Sequence, residues 1–536
     1  MTTLLLRVLA VIVVLAALAA GVAGFLVVAF DMQIEFAGNG MRPLFSFGAP
    51  DAHYAALEAD RANRPPAGDA PLPGARRAAE TTAGVAGGTG AAGGASVAGG
   101  PGVAGGTGVA GGPGVAAGPG AAPDATLAGA PPVSGADPEG PDPAAPAAPQ
   151  HDAYWTDFRG PHRDGIYTQT AIRTDWPATG LEPLWSQPVG GGYASFVVAD
   201  GRAFTIEQRR DQEVVAAYDL DTGAERWTHA WFAHFRETMG GPGPRATPTW
   251  HDGRVYALGA TGRLVGLDAA TGAVVWERDI LADAGARNLP WAMSGAPLVV
   301  DDLVVVQPGG SRGWSVAAYD RRTGDVAWHV LNDVQSYTSP MLATLGGVRQ
   351  IVVVTAERAA GLRPADGTLL WEYPWTVRVV PNIAQPLVAS DTRLFLSAGY
   401  GKGAALVELT PDGDRFRAAT VWETNRMKNR FGSSVLIDGY IYGLDESILA
   451  CIDAATGELM WKGGRYGYGQ LLAAGEHLLV LTERGELVLV RATPTGHEEV
   501  AGFRAIEGKT WNVPAMAGGR ILVRNARQMA AFDLSP

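Results

Sequence analysis

A short motif repeats along the C-terminal two-thirds of the chain and constrains its fold more than any other feature. The motif ends an apolar segment with Asp, continues through a Thr-Gly pair and places a Trp eight positions after the Asp. The Thr-Gly pair predicts a tight turn with a positive φ at Gly, so each copy predicts a β-hairpin. The regular copies are Asp219 to Trp227, Asp268 to Trp276, Asp320 to Trp328 and Asp453 to Trp461.

Other copies of the motif are irregular. Arg363 replaces the Asp in the copy that ends at Trp371, and the copies 408–422 and 491–500 are degenerate. Two further apolar segments precede each copy, which gives four short antiparallel strands per repeat. Successive Trp residues from Trp185 to Trp461 are separated by 42, 49, 52, 43, 51 and 39 positions. Four-stranded repeats of this length are typical of β-propeller blades.

The two ends of the repeat region complete one another. The C-terminal segment ends in the repeat's Asp, at Asp533, without a Trp strand after it, whereas Trp185 lies on a Trp strand without an Asp strand before it. Pairing the two closes the ring and leaves no exposed edge strand at its ends. The 352 residues from Trp185 to the C-terminus provide 44 residues for each of eight blades. We therefore predict an all-β, eight-bladed propeller over residues 181–536, with seven blades as the alternative.

The first 30 residues predict a membrane anchor. Residues 8–30 are uncharged and long enough to cross a bilayer as a helix, which favours an uncleaved signal anchor over a cleaved signal peptide. Arg7 lies before this run and Asp31 after it, so the charge pattern places the bulk of the chain outside the cytoplasm. We predict a single-pass protein of the inner (cytoplasmic) membrane with its propeller in the periplasm or exterior.

Three segments connect this anchor to the propeller. Residues 31–62 form a juxtamembrane segment, in which 54–62 predict a short helix. Residues 63–150 are dominated by Gly, Ala and Pro, which predicts a disordered linker that tethers the propeller without docking it. Residues 151–180 form a lead-in segment, which we expect to lie across one face or the rim of the propeller.

The repeat and the lead-in segment resemble a known family. The pattern A-x-D-x-x-T-G-x-x-x-W is similar to the pyrroloquinoline-quinone (PQQ) repeat of quinoprotein dehydrogenases and of BamB-type outer-membrane assembly propellers. The segment from Trp155 to Gly165 resembles the entry segment of bacterial PQQ-like propeller proteins. The resemblance covers residues 154–536 and implies the propeller fold, but propellers of one fold host many unrelated functions.

Function in propellers usually lies at the mouth of the central channel, where the residues just before each innermost strand converge. The residues at these positions are mainly aromatic, cationic or amide-bearing: Tyr193, Arg245, Ser294, Tyr337, Asn382, Arg430, Tyr468, Trp511 and Asn512. We expect this ring to contain no carboxylate. The resemblance to quinoproteins would require oxygen ligands for Ca²⁺, usually with an acidic side chain, and a carboxylate base near the alcohol. The ring therefore favours a propeller without PQQ, Ca²⁺ or another cofactor.

These features favour a non-catalytic binding or scaffold module that meets protein partners at the cell envelope, with a monomeric propeller. One alternative is a PQQ-dependent alcohol or sugar dehydrogenase. Another is a binder of small anions or carbohydrate, in which Arg245 and Arg430 hold the anion and Trp511 and Tyr337 offer stacking faces. The formal net charge of −12 argues against nucleic acid as a partner. The repeated Asp and Trp residues are predicted to be structural.

The insertion 229–243 is the longest departure from the repeat with unusual content. It is rich in aromatic residues, and we expect it to cap the propeller. Its His229 and His234 suggest a metal site as the alternative, but no carboxylate or Cys completes a recognisable ligand set.

Overall fold

Eight four-stranded antiparallel sheets form the propeller that the repeat predicts. The computed structural model describes residues 32–37, 42–47, 50–63, 154–379 and 381–536. The predicted anchor, residues 1–30, and the predicted linker beyond residue 63 lie outside the described residues. Among the helices that are described, none is both long and apolar enough to cross a membrane.

The elements before blade 1 are a hairpin, a helix, a short strand and the strand that closes the ring. They are β1 (Met32–Ala37), β2 (Arg42–Phe47), α1 (Pro50–Asn63), β3 (Ile166–Tyr167) and β4 (Pro183–Pro188).

The blades follow in chain order, each running from the innermost to the outermost strand. Blade 1 comprises β5 (Val197–Ala199), β6 (Arg202–Arg209), β7 (Gln212–Asp219) and β8 (Glu225–Phe232), and the hairpin β9 (Arg236–Glu237) and β10 (Gly241–Pro242) follows it. Blade 2 comprises β11 (Thr249–His251), β12 (Arg254–Leu258), β13 (Arg263–Asp268) and β14 (Val274–Asp279), and the helix α2 (Ile280–Ala284) follows it. Blade 3 comprises β15 (Leu298–Val300), β16 (Leu303–Val306), β17 (Val316–Asp320) and β18 (Val326–Val330). Blade 4 comprises β19 (Met341–Leu345), β20 (Val348–Val354), β21 (Arg358–Leu362) and β22 (Leu369–Pro374).

The second half of the ring repeats this order. Blade 5 comprises β23 (Leu387–Ser390), β24 (Arg393–Ala398), β25 (Gly403–Asp412) and β26 (Arg415–Thr424). Blade 6 comprises β27 (Val435–Ile437), β28 (Tyr440–Asp445), β29 (Ile448–Asp453) and β30 (Leu459–Arg465). Blade 7 comprises β31 (Gln470–Ala474), β32 (His477–Leu481), β33 (Glu486–Arg491) and β34 (Glu499–Arg504). Blade 8 comprises β35 (Ala515–Ala517), β36 (Arg520–Arg524), β37 (Gln528–Asp533) and, as its outermost strand, β4.

The repeat packs each blade against its neighbour. The carboxylate of Asp268 accepts hydrogen bonds from the backbone N–H and hydroxyl of Thr271, which fixes the turn. Gly272 follows with φ of 74°, and a Cβ at this position would lie 2.5 Å from the indole of Trp227 in blade 1. That indole donates from Nε1 to the carbonyl of Ala269 at 2.9 Å. The glycine therefore leaves room for the neighbouring Trp, and the Trp anchors on the turn.

The same contact recurs around the ring, with the Trp of one blade against the glycine of the next blade's turn. The pairs are Trp185 with Gly223, Trp276 with Gly324, Trp328 with Gly367 and Trp422 with Gly457. Trp371 departs from the pattern and donates to Gln350 of its own blade. The difference has a local reason: the next blade has no Thr-Gly turn, because β25 and β26 extend to ten residues each.

The lead-in segment enters the propeller at the end of the inner strands. Strand β3 pairs in parallel with β31 and becomes a fifth strand of the blade 7 sheet. Trp155 is fully buried and forms a β-bridge with Val198 at the end of blade 1's inner strand. The segment thus covers the face of the ring opposite to the predicted mouth.

Helix α1 packs against the junction of blades 8 and 1. Leu57 is buried, and the His53 Nε2 lies 2.9 Å from the carbonyl oxygen of Val189. Arg61 donates to the Glu225 carboxylate and to the Tyr218 hydroxyl, each at 3.0 Å. The segment just before the predicted linker thus packs against the propeller.

Candidate functional site

The mouth is built on a closed ring of hydrogen bonds between neighbouring blades. Each of the eight blade junctions has one bond in which a side chain at the start of an inner strand meets the next blade. The bonds, starting at the junction of blades 1 and 2, are Ser195 N to Thr247 Oγ1, Thr249 Oγ1 to Pro297 O, Ala296 N to Ser339 Oγ, Ser339 N to Gln385 Oε1, Gln385 N to Ser433 Oγ, Gln470 Nε2 to Phe431 O, Gln470 Nε2 to Trp511 O, and Ser195 Oγ to Val513 O. This ring fixes the loops that carry the mouth residues.

The two predicted mouth asparagines lie within this framework and not on its surface. Asn382 donates to the carbonyls of Thr355 and Trp375, and Asn512 donates to the carbonyls of Gly192 and Ala194. Both residues are buried. Their Oδ1 atoms are buried without a protein partner, so these amide oxygens accept no hydrogen bond within the described part of the protein.

Aromatic rings from blades 6, 7, 8 and 1 cover one side of the mouth. The Trp511 ring stacks on Tyr193 with centroids 5.6 Å apart, and Phe431 lies 4.7 Å from it. Phe431 also meets Tyr468 edge-on at 5.2 Å. The Lys509 ammonium lies 4.6 Å from the Trp511 ring. Contacts of this geometry are favourable, so the sequence-predicted stacking faces are turned toward one another.

Arg245 forms hydrogen bonds with the insertion that precedes it in the chain. Its guanidinium donates to the Glu237 carboxylate at 3.3 Å and to the carbonyls of Gly241 and Gly243. The Phe235 ring lies 4.6 Å from it. Burial lowers the pKa of Arg245 below its ordinary value, although the guanidinium stays charged at any neutral pH. The side chain is therefore used to fold the hairpin β9–β10 over the mouth.

Arg430 joins three blades on the opposite side of the mouth. The ring of Tyr400 lies 4.2 Å from its guanidinium, the Tyr468 hydroxyl accepts a hydrogen bond at 3.2 Å, and Glu446 lies at 3.7 Å. Arg430 is thus surrounded by groups that suit a cation.

Blades 3 and 4 supply the remaining predicted residues. The Tyr337 hydroxyl accepts a hydrogen bond from the Trp291 backbone N–H at 3.4 Å, and the two rings meet edge-on. Burial raises the pKa of Tyr337 to about 12, so this hydroxyl is neutral at physiological pH. The Ser294 hydroxyl donates to the carbonyl of Ala292.

Carboxylates also lie at the mouth, which corrects the expectation of a carboxylate-free ring. Glu237 contacts Arg245, Glu446 contacts Arg430, and the Trp511 indole donates to Glu483 at 3.0 Å. The sequence analysis missed them because they lie in the hairpin between β9 and β10 and in the turns after β28 and β32, far along the chain from the inner strands. The adjacent Trp and Arg positions were the available signal, since each needed a partner of opposite polarity.

The lead-in segment enters from the opposite face and fills the channel just beneath the mouth with two buried arginines. Arg163 donates to the carbonyls of Ala296, Pro297 and Pro340, to the Thr249 hydroxyl and to the Asp157 carboxylate. The Pro297 carbonyl and the Thr249 hydroxyl also belong to the ring of hydrogen bonds at the mouth. The partners of Arg163 therefore belong to blades 2, 3 and 4 as well as to its own segment.

Arg159 reaches the other side of the ring. It donates to the carbonyls of Leu471, Ser434 and Asp164, in blades 7 and 6 and its own segment. Burial lowers its pKa to about 10. The two arginines thus hold the lead-in segment inside the ring.

The insertion's histidines do not form a shared site. The His229 ring packs at an angle beside Trp231, whereas the His234 Nδ1 lies 3.2 Å from the carbonyl of Arg210. Over the described ranges, no three His, Cys, Asp or Glu side chains are grouped so that they could hold a metal ion. Trp231 is buried and donates to Oε2 of Glu213, whose Oε1 accepts from the backbone N–H of Ala260.

Comparisons with known proteins agree with this architecture. Residues 210–463 match the family model described as outer membrane protein assembly factor BamB. BamB of Moranella endobia is 25% identical over 255 residues, which cover 46% of this chain and 64% of that protein. Quinohemoprotein alcohol dehydrogenase ADH IIB of Pseudomonas putida is 39% identical over 88 residues, 16% of this chain and 12% of that enzyme. The chain thus spans less than two thirds of these relatives' own lengths.

A solved structure extends the likeness to the whole propeller. The quinohemoprotein alcohol dehydrogenase of Comamonas testosteroni superposes with a TM-score of 0.53, at 14% identity, over 71% of this chain and 80% of that one. At this identity the match concerns the fold alone. The repeat, the family match over residues 210–463 and the shared ring make the chain similar to the PQQ-like β-propeller repeat proteins, among them BamB and the quinohemoprotein alcohol dehydrogenases.

Proposed function

We propose that this protein is a non-catalytic binding or scaffold propeller of the cell envelope, held at the inner membrane by residues 1–30 and working through protein partners. The observation that carries the proposal is that the chain's own side chains occupy both the mouth and the channel beneath it. At the mouth, the aromatic rings pack on one another, and the carboxylates contact arginines and an indole. Beneath the mouth, Arg159 and Arg163 fill the channel and bind the starts of the inner strands.

The donor set at the mouth supports this proposal over a quinoprotein. A calcium-bound quinone needs several oxygen ligands at one point, but Glu237, Glu446 and Glu483 each contact a different partner on a different part of the ring. The amide oxygens of Asn382 and Asn512, which accept no hydrogen bond from a described residue, belong to loops before blades 5 and 8, far apart on the ring. We therefore derive no reaction step through PQQ.

The relatives support the envelope location. The family model and the BamB relatives of Moranella endobia and Yersinia pestis are described as factors of outer membrane protein assembly. By analogy, we propose that the mouth and its rim, with Trp291 and Tyr400 partly exposed, form the face that meets a protein partner. An anion or carbohydrate site at the mouth is less well supported, because Arg245 and Arg430 already have acidic and aromatic neighbours.

Photo-crosslinking in the native host tests the binding face. A photoreactive amino acid at position 291 or 400 should produce the same discrete crosslinked protein, whereas one at Asp438, which is exposed on the opposite face, should not. Discrete crosslinks only from position 438 would contradict the assignment of the mouth.

Cofactor titration tests the non-catalytic part. The purified full-length chain, incubated with PQQ and Ca²⁺ and then desalted, should retain no quinone by absorbance and mass spectrometry, whereas a quinohemoprotein treated in parallel retains it. Stoichiometric quinone together with dye-linked alcohol oxidation would overturn the proposal and favour the dehydrogenase alternative, to which the Pseudomonas putida similarity points.

A further inference from the structure

Helix α1 stands apart from the propeller in sequence but contacts it in the structure. The Gly-, Ala- and Pro-rich stretch 64–153 separates the helix from the lead-in segment. Nevertheless the helix lies on the junction where β4 closes the ring, with Leu57 buried and His53 near the carbonyl of Val189. Because the connection between the helix and the lead-in segment is so long, the helix could leave this junction without unfolding the propeller.

The contact is small and largely polar. Within the helix, Leu57 is the one hydrophobic side chain whose burial the structure records. The Glu58 carboxylate forms an ion pair with the Arg210 guanidinium at 2.8 Å, and both side chains are about half exposed. Arg61 reaches Glu225 at 3.0 Å and the Pro188 carbonyl at 3.4 Å. Partly exposed ion pairs are individually weak and are weakened further by salt.

The surface beneath the helix is balanced in charge without it. Glu207 is fully buried and is paired with Arg209, and its pKa is lowered to about 2 despite burial because Arg209, Arg524 and Arg61 lie near it. Glu225 is also paired with Arg209, independently of Arg61. When Arg61 leaves, the carboxylates of Glu207 and Glu225 therefore still have two arginines, Arg209 and Arg524, as neighbours. Undocking thus leaves no buried charge unpaired, and an unpaired buried charge is the usual cost of breaking a buried ion pair.

The exposed side of the helix offers no second attachment among the contacts that the structure describes. Ala52, Ala55, Ala56, Ala59 and Ala62 are all exposed. The helix is therefore held on one side only, by Leu57, the two ion pairs, and the polar contacts of His53 with the Val189 carbonyl and of the mostly buried Arg61 with the Tyr218 hydroxyl.

From these observations we propose that α1 is a reversible latch. When docked, it holds the ring-closing junction of blades 8 and 1 directly beside residues 50–63 and so beside the segment that precedes them. When undocked, the propeller remains joined to the helix only through residues 64–153. The latch thus sets how far the propeller reaches from its N-terminal segment. The inference does not depend on what the mouth binds.

The same linker keeps the latch effective in spite of its weak contacts. A tethered segment experiences an effective concentration on the order of millimolar when the linker can span the two sites. A contact too weak to join separate molecules therefore still populates the docked state. Salt, or a partner that competes for the blade 1 surface, shifts the balance.

Pulsed electron–electron distance measurements on the full-length chain test the latch. Spin labels at Ala59→Cys on the helix and Thr228→Cys on β8, in a Cys451→Ala background, should give one short, narrow distance at about 0.05 M NaCl. Raising the salt to about 0.5 M should add a broad, long component, because the ion pairs are screened. Leu57→Asp combined with Arg61→Ala should lower the ratio of docked to undocked chains by about tenfold or more.

Two matched variants separate docking from general damage. Ala55→Ser lies on the exposed side of the same helix and should leave the short distance unchanged. Glu58→Arg alone should increase the long component, and Glu58→Arg with Arg210→Glu should restore the short one, since the pair is re-formed with reversed charge. Absence of the short distance in the spin-labelled chain without further substitutions would overturn the proposal. A short distance that is displaced neither by salt nor by Leu57→Asp with Arg61→Ala would also overturn it, because the helix would then be a fixed part of the ring.

Discussion

The mouth and the part of the channel beneath it, which the lead-in segment fills and which we call the closed end, contain the same kind of side chain in different roles. At the closed end, Arg159 and Arg163 are fully buried and donate mainly to backbone carbonyls of the inner strands of several blades. At the mouth, Arg245 and Arg430 contact side chains and loops near the surface. A buried arginine that binds the backbone of several blades fixes the ring, whereas one that binds neighbouring side chains shapes a surface. Arginine in a channel is therefore not by itself a sign of ligand binding.

The largest expected effect is at the closed end. Arg163→Ala removes a cation that serves three backbone carbonyls and Asp157, and leaves them buried without a donor. We expect a loss of about 3–5 kcal/mol in the free energy of unfolding, measured by urea denaturation. Arg173→Ala, a partly exposed residue of the same segment, should change it by less than about 0.5 kcal/mol. A loss below about 1 kcal/mol for Arg163→Ala would show that the lead-in segment does not fix the ring.

The second effect is a pH dependence at the base of the insertion. Burial raises the pKa of Glu213 from 4.5 to about 7, so the folded state holds this proton more tightly than the unfolded state. The resulting stabilisation is complete below about pH 4.5 and is lost as the pH rises through about 7. We expect Glu213 to account for a fall of about 2 kcal/mol in unfolding free energy between pH 5 and pH 8.

Comparing variants isolates that contribution. The difference between unfolding free energies at pH 5 and pH 8 should be smaller in Glu213→Ala than in the unmodified chain, and unchanged in Glu486→Ala, which lies on blade 7. An identical difference in all three proteins would mean that Glu213 titrates normally and that burial does not govern it.

The third effect is the aromatic packing of the mouth. Trp511→Ala removes the contacts with Tyr193 and Phe431 and the hydrogen bond to Glu483. Because the indole is only partly buried, we expect a loss of about 1–2 kcal/mol in thermal or urea unfolding, less than for Arg163. Phe232→Ala, at a ring that is 81% exposed, serves as the control and should have little effect. A loss for Trp511→Ala that exceeds the loss for Arg163→Ala would reverse the comparison between the two ends.

The smallest effect is expected at Arg245. Its contacts lie within residues 235–243, so Arg245→Ala should loosen the hairpin β9–β10 and cost about 1 kcal/mol in global stability. Hydrogen exchange should accelerate at residues 236–242 and stay unchanged in blades 4 and 5. Arg236→Ala, exposed in the same hairpin, is the matched control. Faster exchange across the whole ring would place Arg245 with the arginines of the closed end.

Much of the fold could be predicted from the sequence because the repeat records a contact that each blade makes with the next. Asp268 fixes a turn, Gly272 leaves space beside it, and the Trp227 ring of the neighbouring blade fills that space. The spacing of Asp, Gly and Trp in the motif therefore predicts both the hairpin and the packing of one blade on the next. The closure by β4 and β37 follows from the same pattern. The mouth positions could be predicted from their place before the inner strands, but their partners could not. Glu237 comes from the inserted hairpin β9–β10, and Glu446 and Glu483 come from the turns between the second and third strands of blades 6 and 7, none of which belongs to the Asp-to-Trp motif.

The sequence by itself determined the blade and the strand that closes the ring, because hydrophobic period, turn residues and Trp spacing are local properties that recur along the chain, whereas it left seven blades as an alternative to eight. Only the tertiary structure decided which polar groups meet. The burial of Arg159 and Arg163 in the channel, the pairing of the mouth carboxylates and the docking of α1 on blades 8 and 1 all join residues that are distant in sequence. No local pattern records such pairings, since each depends on how the closed ring brings eight blades around one axis.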